Sequence, residues 1–192
     1  MEKNSVKTKK RILEKALSLF AKKGYKNVTM TDICIETGLS RGGLYRHYGS
    51  THQIFSEIIN SLMNAQHDEL SQKIKQDVPA SIILTEILER YKNEMLDSTG
   101  SLSMAILEFY SANQSDGTDN ALLKQYLYSK DMWCKLISYG VQRGEFKKIN
   151  SEEIVDLILF SYQGVRMFST ILPIHKEIPE HIINHIKNVL FV

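Results

Sequence analysis

Gly38 closes a helical pattern that opens no earlier than Thr29, and this confines the chain there to a very short helix. The Thr29 hydroxyl is placed to cap the amide near Asp32, and Asp32 brings negative charge to the positive helix end. Gly38 tolerates the left-handed conformation that turns the chain. Ser40 recaps it at once, and a further helix over roughly Arg41 to Tyr48 ends at Gly49. Ser50 with Gln53 reads as a capping box opening a longer fourth helix. Upstream, Ile12, Ala16, Leu19 and Phe20 recur at helical spacing within a first helix from about Val6 to Lys23, and Lys22, Lys23 and Gly24 mark its end. Two short helices about a tight glycine turn, packed on a longer one through Ile33, Cys34, Leu39, Leu44 and Tyr48, make a helix-turn-helix.

The rest of the chain keeps helical spacing, and its three prolines, Pro79, Pro173 and Pro179, fall where helices begin or end. The fold class expected is all-α, with about nine helices. Charge divides unevenly along it. Residues 1–60 hold eleven Lys/Arg against five Asp/Glu, a net +6, whereas the remainder is net −4. A local cluster of cations beside an acidic body points to a polyanion partner for the first segment only. The chain is therefore expected to divide into a DNA-binding module over residues 1–50 and a larger helical body over 51–192, joined without a flexible linker. Apolar runs such as Ile154 to Phe160 are far shorter than the roughly 20 residues that cross a bilayer. The polar, basic start leads into an amphipathic pattern and not a signal-peptide core. Cys34 and Cys134 have no CxxC spacing and read as reduced, buried thiols. A cytoplasmic protein with no membrane contact is the expectation.

Thr29-Met30-Thr31-Asp32-Ile33, followed by Gly38-Leu39-Ser40-Arg41-Gly42-Gly43-Leu44-Tyr45-Arg46-His47-Tyr48, resembles the TetR family of bacterial repressors. The match is dense over residues 8 to 60. Beyond residue 60 only helix lengths and the Gly144-Glu145-Phe146 turn are similar. The resemblance implies a dimeric repressor that binds a palindromic operator and is released by a small-molecule inducer, with residues 51–192 as its ligand-binding and dimerisation body. The alternative is a DNA-bound adaptor or activator of the same fold without an inducer pocket.

A helix-turn-helix places its second helix in the major groove, where residues of the first turn face base edges. Those residues are Arg41, Gly42 and Gly43. The planar fork of Arg41 suits bidentate pairing with guanine O6 and N7. The two glycines fit either close backbone approach to DNA or simple tolerance in a first turn. Tyr45 and His47 match the family's phosphate-contacting pair. Thr29 and Thr31 on the second helix, and Ser50 and Thr51 on the fourth, bring hydroxyls and amides to phosphate, or serve only as caps. A lysine is usual in the family where Thr51 stands, so one phosphate contact is in doubt, with Lys7, Lys9, Lys10 and Arg46 as candidate replacements.

One short reading helix contacts few base pairs, so a homodimer is expected. The helix from Ile154 to Leu172 is apolar almost all round, with Ile154, Leu157, Ile158, Tyr162 and Val165 on one side. The last helix repeats Ile182, Ile183, Ile186, Val189 and Leu190. Two readings fit: both stripes face the chain's own core, or the last two helices meet their symmetry mates, as the resemblance implies. The family's bodies carry a small-molecule pocket, and the candidate walls here are Phe109, Tyr110, Trp133 and Tyr162, with Glu108, Gln163 or Arg166 as polar contacts. Neither inducer charge nor identity is selected. No GxSxG, phosphate loop, HExxH or paired Cys/His set occurs, so no enzyme activity and no cofactor is expected. His181 and His185 stand one helical turn apart, a spacing able to hold a metal, but two ligands are insufficient without partners, so no metal site is assigned.

Overall fold

The computed structural model describes residues 2–97, 102–112, 121–169 and 171–192. Nine helices form among them: α1 (Glu2–Lys23), α2 (Met30–Thr37), α3 (Arg41–Tyr45), α4 (Thr51–Lys75), α5 (Ala80–Leu96), α6 (Ser103–Ala112), α7 (Ala121–Gln142), α8 (Ser151–Phe168) and α9 (Glu177–Leu190). Among the described residues the sole β-type pairing is an isolated bridge between Phe146 and Phe191. No helix among the described residues is long and apolar enough to cross a membrane. The helices gather into two compact units. The first holds α1 to α3, α4 up to Met63, and α6; the second holds α4 from Asn64, α5, α7, α8 and α9.

In the first unit, Ile12, Ala16 and Phe20 of α1 bury the stripe that their spacing defines, against Ile33 and Cys34 of α2 and Leu44 of α3. Ile54, Phe55, Ile58 and Ile59 of α4 and Ala105 and Phe109 of α6 complete this core. Phe55 and Phe109 pack with Phe20 and Tyr25 at ring separations of 4.7 to 5.2 Å, in tilted and edge-on pairs. Such aromatic pairs add to the free energy of area burial alone.

The second core joins Ile83, Leu84 and Leu88 of α5 to Trp133, Leu136 and Ile137 of α7, Val155 and Ile158 of α8, and Ile183, Ile186 and Leu190 of α9. α8 departs from the expected inner stripe. Ile154, Val155, Ile158, Leu159 and Tyr162 are buried, but Leu157 points outward with 45% of its surface exposed. In a helix apolar all round, Leu157 fits an i, i+3 pattern with Ile154 yet lies nearly opposite Val155 and Leu159 at about 100° per residue.

α5 begins at Pro79, which has no side-chain cap to offer its orphan amides. Glu145, from the turn between α7 and α8, supplies it instead. Its Oε2 accepts from the Ser81 amide at 2.8 Å and the Ser81 hydroxyl at 2.7 Å, while Arg143 Nε donates to Oε1 at 2.5 Å. The same turn lays the Phe146 ring on α7 at Gly140, where any Cβ would stand 2.2 Å from the ring, so only glycine fits.

Partial burial alone would raise the Glu145 carboxyl, but the Ser81 amide, Arg143 and the Ser81 hydroxyl outweigh it and hold the group at about 2 against an ordinary 4.5. A carboxyl lowered on folding contributes stability that is complete above its unfolded value and is lost as pH falls through its folded one. Glu145→Gln is therefore expected to lower the thermal midpoint at pH 7, with the gap to the parent closing between pH 4.5 and 2. A gap that stays constant over that window would show that the carboxylate charge contributes nothing.

Candidate nucleic-acid interface and effector site

The turn around α2 is fixed by local chemistry. The Asp32 amide donates to Thr29 Oγ1 at 3.2 Å, and the Thr29 amide donates to Asp32 Oδ2 at 2.9 Å, a closed capping box. The Thr29 hydroxyl, then Lys23 at 2.9 Å, hold the Asp32 carboxyl well below the usual range. Gly38 takes φ +68° and the Leu39 amide closes on the Cys34 carbonyl at 3.2 Å, so the chain reverses as its glycine requires.

Ser40 then caps α3, its Oγ accepting from the Gly43 amide at 3.1 Å. α3 is shorter than expected, ending at Tyr45 and not Tyr48. The His47 amide bonds the Leu44 carbonyl at 2.9 Å, a tighter turn that brings the chain to Gly49 in time to start α4. Ser50 caps α4 by accepting from the Gln53 amide at 3.2 Å. The Gln53 side chain reaches back to the amide of Gly49, one residue before the cap that a regular capping box would bond.

Leu44 and Tyr48 are buried and pin α3 to the core, which leaves the opposite face free. On that face Arg41, Gly42 and Arg46 are exposed, as is Tyr45 at 53%. Arg41 Nη2 donates to Thr31 Oγ1 at 3.4 Å, so the guanidinium leans toward the start of α2. A Cβ at Gly42 would meet nothing within 4 Å, and at Gly43 it would meet the Ser40 cap at 3.3 Å and the Leu39 side chain at 3.8 Å. No packing neighbour among the described residues requires glycine at position 42. Thr29 and Thr31 stand at the start of α2, and Ser50 and Thr51 at the start of α4. Lys9 is held against the module, its ammonium 5.3 Å from the centre of the Tyr48 ring.

The remaining candidates divide between the units. Phe109 and Tyr110 lie in the first, where Phe109 packs against Tyr25, His52 and Phe55. Neighbouring Glu108 accepts from the Lys26 amide at 2.9 Å, tucked against the turn at Gly24. Trp133, Tyr162 and Arg166 come together in the second, while Gln163 is exposed. The Tyr162 ring stacks on Tyr91 with centroids 3.8 Å apart, and Trp133 Nε1 donates to the Tyr91 hydroxyl at 3.4 Å. Arg166 Nη1 donates to the Tyr162 hydroxyl at 2.7 Å, and that hydroxyl in turn donates to Glu94. Burial pushes both tyrosine hydroxyls up, and Glu94 adds to the shift at Tyr162, so each remains a donor. Tyr91 and Glu94 were not singled out in the sequence. Their i, i+3 spacing on α5 matches the i, i+4 spacing of Tyr162 and Arg166 on α8, and that was the available signal.

Residues 12–58 match the model for bacterial regulatory proteins of the tetR family. The chain is 29% identical over 140 residues to the transcriptional regulator YfiR of Bacillus subtilis, covering 72% of this chain and 67% of that one. It is 25% identical over 143 residues to the transcriptional repressor KstR2 of Rhodococcus jostii, covering 71% and 66%. The matched stretch thus spans about two thirds of these curated relatives. A TetR transcription regulator from Haloarcula marismortui superposes with a TM-score of 0.75 over 96% of this chain and 99% of its own, at 18% identity, a likeness of fold.

Proposed function

The chain belongs to the TetR family of bacterial transcriptional regulators, and from that premise we propose that it is a homodimeric repressor of a palindromic operator, released by a small-molecule inducer. The observation that carries the reading is the second, uncovered apolar face of α8. Leu157, Phe160, Met167 and Phe168 all lie outward, Phe160 with 67% exposure, and Ile171 follows at 72%. Gly164 sits among them with open space where a Cβ would stand. A contiguous apolar face on a charged chain marks an interface, and a glycine at its centre lets a second helix approach closely. A two-fold dimer of helix-turn-helix modules matches a palindrome.

In this reading Arg41 pairs with a base edge, and Gly42 and Gly43 admit the backbone close to DNA. Tyr45 and His47 hold phosphate, with Thr29, Thr31, Ser50 and Thr51 adding donors at the helix starts. The inducer meets Trp133, Tyr162 and Arg166 with Glu94, where stacked rings adjoin a guanidinium and a carboxylate. Aromatic walls with a few convergent polar groups are the usual composition of such sites. α4 contributes residues to both units, and in this reading the inducer favours one of two states in which α4 swings, so that the two reading helices no longer match successive major grooves. KstR2 is itself named a repressor, which supports the sign of regulation.

Selection of bound DNA from a random pool tests the proposal. Inverted half-sites separated by a fixed spacing of about one helical turn or a multiple of it are expected. A single unrepeated motif, or no enrichment, would sink it.

A further inference from the structure

Of the cations early in α1, Lys9 alone faces the module. At about 100° per residue it falls within about 20° of Ala16 and about 60° of Ile12, whereas Lys7, Lys10 and Arg11 lie about 100° or more away. Ala16 and Ile12 are buried, and those three cations are exposed. The Lys9 side chain is half-buried, with its ammonium 5.3 Å from the centre of the Tyr48 ring. Tyr48 is buried and stands two residues before Ser50, the cap of α4. A lysine stem covers apolar surface while its head stays in water, and the ring face attracts the ammonium. The contact fixes a cation from α1 beside the turn that starts α4. Other cations of α1 are engaged within the fold: Lys10 with Glu14 at 3.9 Å, Lys15 with Glu36 at 3.2 Å and Lys23 with Asp32 at 2.9 Å. Among the described residues no carboxylate forms an ion pair with Lys9. Burial and then Glu57 raise the Tyr48 hydroxyl, so the ring beneath the ammonium stays neutral and the Lys9 charge is left unanswered.

We propose that Lys9 is the cation for the DNA phosphate at the start of α4, delivered from α1 across the Tyr48 ring. The first turn of α4, Thr51-His52-Gln53-Ile54, contains no Lys or Arg. Hydroxyls and amides there can donate to a phosphate oxygen, but release of its counterions needs a positive charge. Lys9 supplies that charge from another helix. Because the ring already orders the side chain, Lys9 loses less rotamer freedom on meeting phosphate than an unrestrained surface lysine does. The inference rests on the phosphate contacts proposed above for Ser50 and Thr51.

The test titrates the full chain with a short random-sequence DNA duplex over a series of KCl concentrations, since such binding reports phosphate contacts without base readout. Lys9→Met keeps an unbranched stem over Tyr48 and removes the charge. It should flatten the slope of log affinity against log salt by about 0.9 per chain, which is roughly 8-fold in affinity at about 0.1 M salt, with the thermal midpoint nearly unchanged. Lys148→Met removes a charge from the exposed turn before α8 and should leave the slope as it was. Thr51→Lys sets a cation at the start of α4 itself and should restore the slope on the Lys9→Met background. A Lys9→Met chain with the parental slope, whatever its midpoint, overturns the proposal. If Thr51→Lys then still steepens the slope of the parent, the phosphate at the start of α4 stands without Lys9; if it does not, that reading falls as well. A slope lost with Lys9→Met and not restored by Thr51→Lys puts the Lys9 phosphate elsewhere and also overturns the assignment. Should Lys9→Met fail to fold, Lys9→Gln gives the same measurement.

Discussion

Phe160→Glu is expected to convert the proposed dimer to a monomer and to weaken binding to the proposed palindromic operator by at least about 100-fold. Burying a Phe side chain contributes roughly 1.5–3 kcal/mol, and each substitution enters a two-fold interface twice. The incoming carboxylate adds a desolvation cost of several kcal/mol if the face still closes. Phe160 is itself exposed within one chain, so the substitution leaves the core of the second unit intact and its unfolding midpoint nearly unchanged at low concentration. Affinity for an isolated half-site should also be unchanged, because α1 to α3 take no part. Ile82→Glu supplies the control: Ile82 is a comparably exposed apolar residue on α5, outside that face, and its replacement should leave the mass alone. Sedimentation at micromolar concentration together with titration of the full and half operator checks both statements. A Phe160→Glu chain that still sediments as a dimer would place the seam elsewhere.

How far such features were legible depends on how local their chemistry is. Thr29, Gly38, Ser40 and Ser50 act within four residues of themselves, and each cap or turn formed where the sequence placed it. The end of α3 did not follow, because the His47–Leu44 turn answers to the start of α4 and not to the propensity of Arg46 or His47. α8 shows a different limit. Its apolar character was plain, but a helix apolar on every side has no preferred stripe, and only packing against α5 and α7 decides that Leu157 faces out while Leu159 faces in. The capping of α5 by Glu145 and the approach of Glu94 to Tyr162 join residues more than sixty positions apart. Periodicity carries no trace of such partners. For the same reason α6 revealed an apolar character but not that Phe109 belongs with Tyr25 and Phe55.

Arg41→Ala and Tyr45→Phe should weaken operator binding in different ways, and the difference tests the division of labour on α3. A bidentate pair between arginine and guanine accounts for about 1–3 kcal/mol of discrimination, so Arg41→Ala should relax preference at one base pair per half-site by roughly 5- to 150-fold. Binding to random-sequence DNA should fall much less. The Tyr45 hydroxyl, removed without disturbing a side chain that is already exposed, should instead lower affinity for every sequence by a similar small factor. Neither residue contributes to the buried core, where Leu44 and Tyr48 pin the helix, so both variants should fold with parental midpoints. Thr31 allows a finer check, since its hydroxyl accepts from Arg41 at 3.4 Å. Thr31→Val would affect specificity only through the placement of that guanidinium, and on an Arg41→Ala background it should do nothing further at the same base pair. Binding measured across a set of single-base operator variants separates these cases. Equal losses at every base pair from Arg41→Ala would mean that Arg41 is a phosphate contact and that base readout lies with another residue.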